Sequence, residues 1–123
     1  MNNQENGFVK GRIKSLKYAF KGLWLLLSTE HSIMVQTAIA ILVTLLGWWL
    51  DISRTEWILQ ILAIGLVLVA ESLNTAIEKI CDFIHPDYDE RIRFIKDISA
   101  GAVTFAAITA IITGFIIYLP KFL

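Results

Sequence analysis

The sequence predicts an all-α integral membrane protein: an N-terminal amphipathic helix on the membrane surface, followed by three transmembrane helices. Three observations predict it. Hydrophobic residues make up 56% of the 123 positions, and the mean hydropathy of +0.64 is too high for an ordinary soluble domain of this length. Three long runs carry no charge: Ile33 to Leu50, Trp57 to Ala70 and Ile98 to Leu119. Before them, apolar residues at helical spacing alternate with lysines. The 11 basic and 11 acidic residues balance, so net charge argues for no nucleic-acid partner.

The length suits one domain, 1–123. No cleavable signal peptide is expected, because the first 32 residues lack a short apolar core with a small-residue cleavage site. Residues 8–27 read as the surface helix. Ile13, Leu16, Phe20, Leu23 and Leu27 recur every three or four positions, and the lysines between them suit anionic headgroups. Ser28 to Ser32 is expected to break and cap this helix. Residues 33–50 form the first span, with Trp48 and Trp49 at its far interface. Asp51 to Glu56 reads as a short polar turn. The second span, 57–82, opens on Trp57. Phe83 to Lys96 reads as a charged aqueous connection broken at His85-Pro86. The third span, 98–119, carries small residues suited to close helix packing. Cys81 excludes an intrachain disulfide and fits plain packing, since it is the single cysteine.

Basic residues set the expected orientation. Five of the eleven lie in the first 21 positions, and Lys79, Arg91, Arg93 and Lys96 surround the connection after span two. The other connection has Arg54 and the C-terminus Lys121. The positive-inside rule then places the N-terminus and the 83–97 connection in the cytoplasm.

Span two leads without a turn signal into A-E-S-L-N-T-A-I-E-K-I-C-D. Glu71, Asn74, Glu78 and Asp82 follow at offsets of three, four and four, which keeps them on one helical face. A stripe of this kind is compatible with a solvated helix flank, a hydrogen-bonded seam between helices, or a binding site. For Asp82 the first two readings weigh as much as the third. Glu71 follows 14 uncharged residues, about 21 Å of a hydrocarbon core of about 30 Å, and an ionisable group at that depth points to function.

The predicted cytoplasmic layer collects Glu30, Glu71, Asn74, Glu78, Asp82, Lys96 and Asp97. Carboxylates with an amide suit a hard cation such as Mg²⁺, which takes one or two carboxylates plus phosphate oxygens. Lys96 can meet a phosphate as a point charge, and one carboxylate remains as a general base. Phosphoryl transfer asks mainly for these parts. The P-loop, the H-R-D catalytic loop and the G-x-G-x-x-G motif are all missing from the sequence.

The segment E-S-L-N-T-A-I-E-K-I-C-D, followed by P-D-Y and I-K-D-I-S-A-G-A-V, resembles the signature of the small bacterial integral-membrane lipid kinases, the diacylglycerol kinase and undecaprenol kinase family. K-Y-A-F-K-G and the Glu30 region extend the resemblance over nearly the whole chain. It implies ATP- and Mg²⁺-dependent phosphorylation of a membrane lipid alcohol to its monophosphate. By the same resemblance Glu71 is the catalytic base, and Glu30 and Glu78 are the metal-binding carboxylates. Tyr18, Asn74, Asp82, Asp87, Tyr88, Asp89, Lys96 and Asp97 join them around the nucleotide, and Glu71 and Ala100 meet the lipid. It also implies a homotrimer in the bacterial inner membrane, with active sites shared between subunits.

Departures from the family pattern fall at Gly11, often Arg in diacylglycerol kinases, at Met34-Val35-Gln36, which is less polar, and at Asp89, often His. H-P-D-Y and A-G-A-V lean toward undecaprenol kinases, while W-L-D leans toward diacylglycerol kinases, so both lipids stay open. Two other function classes compete: a transport subunit whose stripe passes cations, and an assembly subunit whose stripe only joins helices.

Overall fold

The computed structural model describes residues 3–123, which form four helices and no strand among the described residues. Contacts divide the chain into two units, Met1–Met34 and Val35–Leu123.

In the first unit, α1 runs Asn3–Thr29 and α2 starts at His31. The break expected over five residues contracts to Glu30. Ser28 and Thr29 do not cap the next helix. Each hydroxyl donates back one turn at 2.6 Å, to Trp24 O and Leu25 O, which keeps a Ser or Thr helical. The backbone ladder also crosses the break, through Glu30 N to Leu26 O at 3.3 Å and Met34 N to Glu30 O at 3.0 Å.

Helix α2 ends at Trp49 in a paired closure. Ile52 N donates to Gly47 O at 3.1 Å and Asp51 N to Trp48 O at 3.3 Å, with Asp51 at φ 52°. That is the left-handed cap that satisfies the last carbonyls, and aspartate tolerates it better than most residues. Ile52 folds back over Gly47 and is 4% exposed.

Helix α3 is Arg54–Ile84 and starts three residues before Trp57. The reason is a reciprocal cap. Ser53 Oγ accepts from Glu56 N at 3.2 Å, and Glu56 Oε1 accepts from Ser53 N at 2.9 Å. The helix passes its apolar run and stops at His85, because Pro86 disfavours a helical residue before it. Helix α4 is Glu90–Phe122. The connection is therefore 85–89, far shorter than the 83–96 read from charge alone.

Helices α3 and α4 pack as an antiparallel pair. Their polar partners fix the register. Tyr118 donates to Gln60 Oε1 near one end, and Lys96 Nζ lies 2.6 Å from Asp82 Oδ1 near the other. Gln60 to Asp82 is 22 residues along α3, and Tyr118 to Lys96 is 22 residues along α4, so the helices stay in step over about 33 Å. Beyond Gln60, Lys121 Nζ lies 3.2 Å from Glu56 Oε1. Helix α2 joins the pair through its C-terminal half, where Val43 O lies 3.2 Å from Tyr118 Oη.

Three helices (α2, α3 and α4) are long and apolar enough to cross a membrane, and the chain is a multi-pass membrane protein. Large side chains such as Leu62, Val69 and Phe105 face outward, as expected where lipid is the solvent.

Gly47 is a point of close approach. A Cβ there would stand 3.0 Å from both Ile52 Cδ1 and Tyr118 Oη, whereas one at Gly65 meets open space. Gly47→Leu is expected to destabilise the fold by about 1–3 kcal/mol, and Gly65→Leu to leave it unchanged or raise it. Unfolding titrations in mixed micelles check this, and equal midpoints for the two variants would contradict the packing.

Candidate functional site

On α3 the acidic face begins at Glu71, which is half-buried, and continues through Asn74, Glu78 and Asp82. Thr75, on the same face, is buried at 8% exposure. Asn74 Nδ2 donates to Glu78 Oε1 at 3.1 Å. That bond orients the amide, and Asn74 Oδ1 is left buried with no hydrogen-bond partner. An unpaired buried oxygen is costly, so this one marks a place for a donor or a cation.

Asp82 pairs with Lys96 across the helix pair. Asp97 does not share that contact. It lies 2.6 Å from Arg93 Nη2, one turn back on α4, since neighbouring residues on a helix point apart. Arg93 joins this cluster as a residue the sequence reading did not single out for the site, and the signal was its i, i+4 spacing to Asp97.

The 85–89 connection closes over a small pocket of about 100 Å³ that Asp87, Tyr88, Asp89, Arg93 and Lys96 help to line. Tyr88 is exposed. Asp87 contributes its backbone carbonyl to His85 Nδ1 at 3.0 Å. Asp89 caps α4: its Oδ1 accepts from Arg91 N at 2.8 Å and Ile92 N at 3.4 Å, and Arg91 Nη2 lies 3.3 Å from Oδ2. The structure thus brings Asp87, Tyr88, Asp89 and Lys96 together, and joins Asn74 to Glu78 and Asp82 to Lys96. Ala100 is exposed on α4. Tyr18 and Glu30 belong to the first unit, where Tyr18 is exposed and Glu30 half-buried.

Among the described residues, no three His, Cys, Asp or Glu side chains converge as a ready-made metal cage. Glu78 offers a carboxylate and Asn74 an unpaired amide oxygen, joined through the Asn74 amide nitrogen, and both oxygens are hard donors. They fit an ion that completes its shell with water and phosphate, as Mg²⁺ does.

Gln60 was not singled out by the sequence reading, although it is 3% exposed inside an apolar run. It lies on the same α3 face as the carboxylates and answers Tyr118, 58 residues away.

A sequence profile described as prokaryotic diacylglycerol kinase matches residues 17–118. The chain is 36% identical to the undecaprenol kinase of Bacillus subtilis (strain 168), over 88% of each chain. It is 33% identical to the diacylglycerol kinase of Escherichia coli (strain K12), over 99% of each. The diacylglycerol kinase of Synechocystis sp. is 32% identical over 89% of this chain and 63% of its own length.

Asp89 gives a pH prediction. Its hydrogen bonds from Arg91 hold the carboxyl below the ordinary value of 3.8. The cap therefore contributes its full stability above the unfolded carboxyl pKa, and the contribution is lost as pH falls through the lower folded value. Asp89→Asn keeps an acceptor at the cap and is expected to flatten this part of the acid-unfolding profile. A profile that keeps its slope in the variant would contradict the assignment.

Proposed function

The chain belongs to the prokaryotic diacylglycerol kinase family and is a lipid kinase, and from that premise we propose that it transfers the terminal phosphoryl group of ATP to the hydroxyl of diacylglycerol or undecaprenol. Glu71 is the general base. It takes the proton from the lipid hydroxyl as that oxygen attacks the γ-phosphorus, the β–γ bridging bond breaks and ADP leaves. The observation that carries the reading is the Asn74–Glu78 pair with its unpartnered buried oxygen, one turn from Glu71 on the same face.

Glu78 and Asn74 would hold Mg²⁺, and Glu30 is proposed as a further carboxylate for it. When bound, the ion neutralises charge on the nucleotide phosphates and helps align them. Lys96 exchanges its contact with Asp82 for a phosphate oxygen, and Asp97 orients Arg93 beside it. Asp87 and Tyr88 offer the connection as a nucleotide contact, together with Tyr18 from α1. Asp89 serves by holding that connection in shape. Ala100, small and exposed, leaves room for the lipid headgroup.

The family resemblance supports the bacterial inner membrane, and the distribution of basic residues supports a cytoplasmic N-terminus, so that the carboxylate end of α3 meets ATP. The family resemblance supports a homotrimer.

Glu71→Gln is expected to lower kcat by about 10²–10⁴-fold, the usual contribution of a positioned base, with nucleotide binding and the unfolding midpoint retained. Substantial turnover in that variant would reassign the base. Glu78→Ala is expected to raise the Mg²⁺ concentration needed for half-maximal rate, and an unchanged metal titration would remove Glu78 from the ligand set.

A further inference from the structure

The connection between α3 and α4 is framed by two caps: His85 is the C-cap of α3 and Asp89 the N-cap of α4. The His85 imidazole spans the residues between them. Its Nδ1 lies 3.0 Å from Asp87 O, and its Nε2 lies 3.8 Å from Asp89 Oδ2. A backbone carbonyl can only accept, so Nδ1 carries a proton and donates to Asp87 O. In the neutral ring, Nε2 then turns a lone pair toward a carboxylate. A second proton, on Nε2, converts that approach into an ion pair.

The neighbouring charges leave this role to His85. On α4, Arg93 and Lys96 line the same small pocket, but Arg93 is paired with Asp97, and Lys96 with Asp82 of α3. Arg91 reaches Asp89 Oδ2 at 3.3 Å, yet its side chain is 90% exposed against 41% for His85, so water screens it more. Within the connection, Tyr88 is exposed and Asp87 meets the ring through its carbonyl. Hydrogen bonds from Arg91 hold the Asp89 carboxyl below its ordinary value, so Asp89 is a carboxylate wherever histidine titrates.

Taking ATP-dependent lipid phosphorylation as the activity, on which this assignment rests, we infer that His85 is a pH-dependent positioning residue for the nucleotide: its imidazolium clasps Asp89 and fixes the 85–89 connection. Asp87 and Tyr88 are then in place before the nucleotide arrives, and a loop ordered beforehand lowers the entropy cost of binding. His85 lies 14 residues beyond Glu71, about 21 Å along the helix, so the clasp acts on nucleotide affinity and not on the transfer step. The sign follows from the partner. The clasp is present with the ring protonated and is lost as pH rises through the histidine range.

The experiment uses the full-length protein in lipid vesicles. KM for ATP and kcat are measured from about pH 6 to about pH 8, at saturating lipid and Mg²⁺. Hydrogen exchange of residues 85–92 is followed over the same range without nucleotide, corrected for intrinsic exchange. At the acid end the wild-type KM is expected to lie about 2- to 5-fold below that of His85→Gln, the size of an exposed ion pair, and at the alkaline end to match it. Protection of 85–92 should fall with pH in the wild type and stay flat in His85→Gln. His85→Lys, which keeps the charge, should hold the lower KM at both ends. kcat should stay within about 2-fold throughout, since only binding is altered. In an Asp89→Asn background, which keeps a cap acceptor, His85→Gln should change nothing. His31→Gln should keep the wild-type profile.

A ratio of wild-type to His85→Gln KM that does not change with pH would overturn the clasp while lipid phosphorylation stood. A pH-dependent ratio that survives in the Asp89→Asn background would mean that the imidazolium meets the nucleotide directly, and would overturn the clasp as well. Protection of 85–92 that depends on pH and on His85, in a folded protein that phosphorylates no lipid, would support the clasp and overturn the kinase reading instead.

Discussion

The polar contacts that tie α3 to α4 at both ends hold the rest of the arrangement in place. Gln60–Tyr118 and Asp82–Lys96 are separated by the same number of residues on each helix, so neither helix can slip by a turn without breaking both. Interhelical hydrogen bonds in membranes are worth only about 0.6–2 kcal/mol each. Their weight here lies less in stability than in choosing one register among several that small residues such as Ala102, Ala106 and Ala110 would accommodate. That register sets Lys96 opposite Asp82 and brings Ala107 level with Glu71.

Depth then divides the labour along α3. Trp57 marks one interface, and Glu71 lies 14 residues on, about 21 Å into a hydrocarbon core of about 30 Å. By the same rise per residue, Glu78 is placed at the boundary and Asp82 beyond it. A single helical face therefore runs from aliphatic, through one carboxylate at lipid depth, to carboxylates and an amide at headgroup level. A lipid hydroxyl and a nucleotide live in different solvents, and on the proposed reading this gradient lets one helix address both. The 31-residue α3 and 33-residue α4 are longer than a span requires. Their extra turns carry Asp82, Arg93 and Lys96 clear of the hydrocarbon.

Much of this was legible in the sequence. The apolar runs announced the membrane helices, the spacing of lysines and apolar residues announced α1, and the offsets of three, four and four put the carboxylate stripe on one face. What stayed hidden was set by partners distant in sequence or by cap chemistry. Periodicity cannot pair Gln60 with Tyr118. The 83–96 segment looks like a loop by charge, yet Asp89 caps α4 at Glu90 and Phe83 and Ile84 prolong α3, so the connection shrinks to five residues. The Ser53–Glu56 box was readable as S-x-x-E, but the polar composition of 51–56 obscured it. Asp89 drew attention as a ligand, whereas its oxygens serve the helix cap.

The central claim is that a carboxylate at lipid depth, on the face shared with hard oxygen ligands, activates a lipid hydroxyl toward ATP. The most direct test is purified protein in lipid micelles with γ-labelled ATP, Mg²⁺ and either diacylglycerol or undecaprenol. The account predicts label on a lipid, dependent on both lipid and Mg²⁺. Folded protein that leaves both lipids unlabelled would contradict it.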